Sequence, residues 1–150
     1  MQRTVFPRAA LTALLAASVP SWAQELSFGE LESRQPHRLS REELQQLWPG
    51  AAVSRVSARG NTHRWTNDAD GSFIVSTDNA GAGSRAASST HGKWSVSEDG
   101  RLCVTIEWRL LPTEDWCRYV FQTNDGYYTT RAESPGAADK VFRLDIRKKG

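Results

Sequence analysis

The sequence predicts an all-β fold: a small antiparallel meander of about eight strands, closing into an up-and-down barrel with one short N-terminal helix. Three observations predict it. Beyond Gly50 the apolar residues alternate with period two in short runs instead of recurring at helical spacing. Between several runs one punctuation returns, as "NDADG", "SEDG" and "TNDG", and each sets Asp-Gly where a tight hairpin needs a residue with positive φ. No βαβ spacing appears, which argues against a parallel sheet. Asp70-Gly71, Asp99-Gly100 and Asp125-Gly126 thus mark three hairpins. Closing such a meander disposes of its two edges.

The chain opens "MQRTVFPRAALTALLAASVPSWAQ", with Arg3 and Arg8, an apolar stretch from Ala9 to Val19, and small residues at Ser21 and Ala23. This is the pattern of a secretory signal peptide over residues 1–23, cleaved after Ala23. The apolar stretch is shorter than the roughly 20 residues of a bilayer span, so no membrane span is expected. No cysteine stands at the cleavage point to carry a lipid anchor. The expected product is soluble, periplasmic or secreted.

Charge follows from that reading. The full chain has 19 basic and 17 acidic side chains, and removal of Arg3 and Arg8 leaves the two signs equal. A nucleic-acid partner would need a basic surface, so none is expected. The tail Arg147-Lys148-Lys149 reads as a solvated end. In an oxidising compartment the two cysteines, Cys103 and Cys117, are expected to pair as a structural disulfide. The Cys-x-x-Cys spacing of a redox enzyme is absent.

Residues 24–39 are polar and without sustained period, and read as a flexible leader before a single domain over 40–150. In "LSREELQQLWPG" Ser40 and Glu43 form a capping box, Leu44, Leu47 and Trp48 recur at helical spacing, and Pro49-Gly50 ends the helix. That helix could plug an open barrel end or pack outside. Candidate strands run over 53–59, 62–67, 72–77, 93–97, 102–108, 116–122, 127–131 and 141–146. The connection "NAGAGSRAASST", from Asn79 to Thr90, lacks apolar anchors and reads as a mobile loop.

Side-chain parity ties the cysteines to a charge. If Cys103 and Cys117 sit directly opposite on neighbouring strands they share a face, and Arg118 turns inward with Val104 and Trp116. An inward arginine needs a carboxylate partner or marks a ligand site. A bulge, or a bridge from strand end to loop, would instead leave Arg118 in water.

The stretch "GKWSVSEDGRLCVTIEW…WCRYVFQTNDGYYTT" resembles a family of small exported bacterial proteins classed as a domain of unknown function. Leu44, Leu47, Pro49, Gly50, Gly92, Trp94, Gly100, Cys103, Cys117 and Tyr127 occupy its pattern, over roughly Ser40 to Thr130. The resemblance implies no activity. Gly92-Lys93-Trp94 also looks like the Gly-x-Trp of lipocalin-like barrels, although there it lies in the first strand and here in about the fourth. Size, export and a single disulfide are similar to those of periplasmic protease and lysozyme inhibitors, a likeness of architecture alone.

Chemistry-bearing patterns are sparse. The three histidines, His37, His63 and His91, lack the spacing of a zinc site, and no metal or cofactor is expected. There is no Gly-x-Ser-x-Gly elbow. Glu114-Asp115 and Glu98-Asp99 read as turn residues exposed to water, unlike a general acid, whose carboxyl is buried and perturbed. No catalytic residue is nominated, and the chain is not expected to be an enzyme. His63 and Trp65 alternate onto one strand face. His63 could hydrogen-bond a ligand or be a satisfied edge histidine. Of the five tryptophans after the signal, most should fill the core. Trp65 and Trp94 could alternatively wall a cavity, and Trp108, where a strand runs into a loop, is the candidate for exposure.

The expected function is a non-catalytic exported binding module. It would hold a small anionic or amphipathic ligand through Arg118, Trp65, Trp94, His63 and Trp108, or dock a protein partner. The alternative is an inhibitor of an exported protease or lysozyme that inserts residues 108–115. An enzyme of unknown class comes third.

Overall fold

The computed structural model describes residues 25–83 and 88–148. The expected signal segment and residues 84–87 of the long connection lie outside them.

Eight strands form where alternation and turn chemistry require them: β2 (Ala51–Val56), β3 (Thr62–Thr66), β4 (Ser72–Thr77), β5 (Ser88–Val96), β6 (Leu102–Ile106), β7 (Glu114–Thr123), β8 (Gly126–Thr130) and β9 (Phe142–Lys148). A two-residue β1 (His37–Arg38) precedes them. Each strand from β2 onward pairs antiparallel with the next, and β9 returns to β2 with Val53 opposite Ile146, so the barrel is closed. Two strands exchange partners midway. In β7 residues 114–118 face β6 and residues 119–123 face β8, while β9 passes from β8 to β2 after Leu144. Short neighbours close the barrel because these two strands bridge them.

Up-and-down order sends alternate connections to opposite ends. The β3–β4, β5–β6 and β7–β8 turns share one end and hold the three Asp-Gly pairs; Gly71, Gly100 and Gly126 have φ of +90°, +77° and +148°, the region glycine enters without a Cβ clash. Helix α2 (Arg41–Leu47) covers the same end. Its capping box forms as the sequence predicts, with Ser40 Oγ accepting from the Glu43 amide at 3.2 Å and Glu43 Oε2 accepting from the Ser40 amide at 2.7 Å. Leu44 and Trp48 are fully buried in the main core with Val53, Trp65, Phe73, Val75, Val104 and Val120. The helix therefore plugs the barrel. At the opposite end lie the β2–β3, β4–β5, β6–β7 and β8–β9 connections; the β4–β5 connection carries one 3-10 turn, Ala80–Ala82, and no α-helix among the described residues covers this end.

Gly92 and Trp94 serve the plugged half. A Cβ on Gly92 would lie 2.1 Å from the Phe73 ring, which stacks on Trp65 with centroids 5.2 Å apart. Trp94 donates its Nε1–H to the Asp68 carbonyl at 3.0 Å, tying β5 to the β3–β4 turn.

Two expectations are corrected. The segment 24–39, read as a flexible leader, carries helix α1 (Phe28–Glu32) behind a second capping box, Ser27 with Glu30. Phe28 and Leu31 bury themselves on Tyr119, Phe121 and Tyr128, the outward side of β7 and β8, forming a second apolar cluster outside the barrel. β1 pairs with Phe121 and Gln122 along the β7 edge that β6 has left. The connection 79–90 is also shorter than expected, because Ser88 to Thr90 already pair with β4. No described helix is long and apolar enough to cross a membrane.

Candidate ligand cavity

The disulfide sets the geometry of the site. Cys103 of β6 stands directly opposite Cys117 of β7, and the two are bonded. Register runs unbroken from Ile106 opposite Glu114 to Leu102 opposite Arg118. There is no bulge to change parity. Cys103, Cys117, Tyr119 and Phe121 therefore face outward, and Glu114, Trp116, Arg118 and Val120 face inward.

The inward residues of the unplugged half bound a cavity of about 820 Å³. Arg55, His63, Trp108, Glu114, Trp116 and Arg118 line it, with Arg131 and Phe142 on the β8–β9 side. Such a volume lies in the range that holds a small organic ligand.

Guanidinium groups and aromatic rings alternate across this wall. The Arg55 carbon lies 5.7 Å from the Trp116 ring centroid, Arg118 lies 5.0 Å from Trp116 and 4.1 Å from Phe142, and Arg131 lies 5.6 Å from Phe142. The ring faces partly offset the desolvation of each cation. Among the described residues only Arg55 of these has a carboxylate: Glu114 takes its Nη2 in an ion pair, and Glu114 Oε1 accepts from Trp108 Nε1 at 2.9 Å. Arg118 has a single long hydrogen bond, Nη1 to Thr129 Oγ1 at 3.5 Å, and among the described residues no carboxylate pairs with it.

Titration behaviour follows. Burial lowers the Arg118 pKa from its ordinary value to about 10, with the Arg131 and Arg55 charges adding to the shift and Glu114 opposing it. His63 is buried, and its pKa is lowered by desolvation first and by Arg55 second. Its Nδ1 stands 4.0 Å from Glu114 Oε1 and its ring 4.9 Å from that of Trp108. The Nε atoms of Arg55 and Arg118, Trp116 Nε1 and His63 Nδ1 are all buried without a hydrogen-bond partner. Native proteins leave few such atoms. Here four belong to side chains lining one cavity.

The structure thus brings together Arg118, His63 and Trp108 of the residues singled out from sequence. It does not bring Trp65 and Trp94 to them. Trp65 lies in the main core with Nε1 on Asn67 Oδ1 at 2.9 Å, and Trp94 closes the plugged end. Trp108, the candidate for exposure, instead folds inward onto His63 and Glu114, and Leu110 and Leu111 are the exposed large apolar residues of its loop, at 91% and 44%. Glu114, expected in a water-exposed turn, begins β7 and faces the cavity. Sequence reasoning passed over Arg55, Glu114, Arg131 and Phe142. Arg55 had a signal: it shares strand parity with the core residue Val53.

The arrangement suits an acceptor-rich, negatively charged group held among aromatic walls. No curated protein and no solved structure matches the chain. A family model matches residues 13–145, and the chain belongs to that family, described as protein of unknown function (DUF995).

Proposed function

We propose that the protein is a non-catalytic binding module, exported to an oxidising compartment, that holds a small anionic and partly apolar ligand in the unplugged end of its barrel. One observation carries the reading: Arg118 is half-buried between Trp116 and Phe142, flanked by two further arginines, and among the described residues no carboxylate forms an ion pair with it. A buried cation without a counter-charge is costly. A carboxylate or phosphate oxygen would relieve that cost and accept from the unpaired N–H groups beside it. The disulfide and the N-terminal pattern support export. The alternative, an inhibitor of an exported enzyme, would have to engage its target through Leu110 and Leu111, because Trp108 is turned inward.

Thermal-shift titration with straight-chain carboxylates and alkyl phosphates tests the reading. The wild type should be stabilised in proportion to ligand occupancy, and Arg118→Ala should lose at least about tenfold in apparent affinity, the scale of one charge-assisted hydrogen bond. Equal stabilisation of both proteins would overturn it.

A further inference from the structure

The rim of the cavity differs in character from its wall. The β6–β7 connection, residues 107–113, carries "EWRLLPT" across the mouth, with Leu110 91% and Leu111 44% exposed and Pro112 exposed beside them. Val56, at the end of β2, lines the same mouth and is 67% exposed. Exposed apolar side chains occur singly on most proteins, but these are contiguous with one opening. Arg59 and Arg109 stand among them, both exposed, and neither has an ion-pair partner among the described residues. The nearby acids are mostly engaged: Glu114 holds Arg55 and Trp108, and Asp78 accepts from the Thr62 and Ala80 amides. Glu107 is the exposed acid at the base of the loop.

We propose that this rim is a docking surface for an anionic lipid bilayer. The pattern is that of an interfacial anchor, an apolar tip short enough to enter the headgroup and acyl boundary beside cations that meet lipid phosphates. Leucines at the tip and arginines one to a few positions away divide those two tasks within one loop and its neighbour. A protein groove could also accept two leucines. The unpaired arginines favour the bilayer, because phosphate offers each guanidinium a bidentate partner across an extended surface. Docked this way, the cavity mouth faces the membrane. The proposal stands on the rim alone and does not depend on what the cavity holds.

Co-sedimentation with vesicles tests it, using phosphatidylcholine alone and phosphatidylcholine mixed with phosphatidylglycerol. The wild type should bind the anionic vesicles and not the neutral ones, and binding should weaken as salt rises. The double variant Leu110→Asp, Leu111→Asp should lose at least about tenfold in partitioning, with unchanged melting because both side chains are exposed. Arg59→Ala, Arg109→Ala should lose about thirtyfold at low salt, near 1 kcal/mol for each of the two cations at an anionic surface. The apolar N-terminal stretch is common to all variants, so the comparison is internal. Failure to bind anionic vesicles at low salt overturns the proposal, as does binding that survives the leucine substitutions. Stable capture of a protein through Leu110 and Leu111, without vesicle binding, also overturns it in favour of a protein partner.

Discussion

The Arg118 guanidinium carbon lies 4.1 Å from the centroid of the Phe142 ring, and the two residues come from strands that do not pair, β7 and β9. They meet because β8 between them is short and both face the interior. A cation held against a ring face in a cavity gains roughly 0.5–2 kcal/mol. Removing it from water costs several kcal/mol. The depressed Arg118 pKa has the same origin. Arg118 therefore works against stability in the free protein.

From this balance Arg118→Met should stabilise the free protein by about 1 kcal/mol, since methionine keeps the apolar stem and removes the desolvated charge. The same variant should lose the stabilisation by alkyl phosphates. Calorimetric melting with and without ligand reads both effects. A variant less stable than wild type without ligand would mean that the ring contacts outweigh desolvation.

Glu114 should show the opposite coupling. Its partner Arg55 has a side chain only 14% exposed, so Glu114→Ala leaves that charge uncompensated at a cost of about 3 kcal/mol. It also removes the carboxylate from the cavity wall and frees Trp108 Nε1. Chemical denaturation should report the lost stability, and ligand titration should report tighter, not weaker, anion binding.

His63 makes a pH prediction. Its folded pKa is lowered below 6.5, by burial and by Arg55, so the unfolded chain binds more protons between the two values. Stability conferred above pH 6.5 is lost as pH falls through the folded pKa, and levels off below it. Carboxylates add their own acid dependence, which subtraction removes. The melting temperature of wild type minus that of His63→Gln should fall as pH drops below about 6.5 and on through the folded pKa. A constant difference across that range would show that His63 does not titrate on its own.

How far the sequence already disclosed this molecule depends on the range of the interaction. Asp-Gly turns, alternating strands and the Ser40 capping box are local, and each formed where it was read. Register between sequence neighbours was nearly as legible: the pairing of Cys103 with Cys117 carried the inward turn of Arg118 with it. The same Ser-x-x-Glu signal stood at Ser27 and Glu30, but with only Phe28 and Leu31 as apolar residues it showed no sustained helical period. Its binding face exists only because Tyr119, Phe121 and Tyr128 make the outer side of β7 and β8 apolar as well. Arg55 with Glu114, 59 positions apart on strands that do not pair, depends on barrel closure and has no local signature. Trp65 and Trp94 misled because parity gives the face of a strand but not the depth along it.

Helix α1 yields a stability test. Leu31 is fully buried outside the barrel, and Leu31→Ala should cost about 2–4 kcal/mol if α1 is part of the cooperative unit. Hydrogen exchange should then report α1 amides exchanging with the barrel. Fast exchange of α1 alone, with unchanged global melting, would make it an independent flap over Tyr119 and Tyr128.

The disulfide is the last element with two separable roles. The bridge closes a loop whose ends are 14 positions apart, which corresponds to roughly 3 kcal/mol in the chain-entropy account. For a domain of this size the Cys103→Ser, Cys117→Ser variant should melt about 10 °C lower. Ten residue pairs along β7 hold the same register without help from sulfur, so the parity that turns Arg118 inward should persist below the melting point. The double serine variant at 20 °C or so below its midpoint should therefore still respond to alkyl phosphates, through Arg118. If ligand response vanished while the far-ultraviolet spectrum stayed native, the bridge would be setting the position of Arg118 directly, by pinning the β6–β7 pair against the slip of a single residue that would send its guanidinium to solvent.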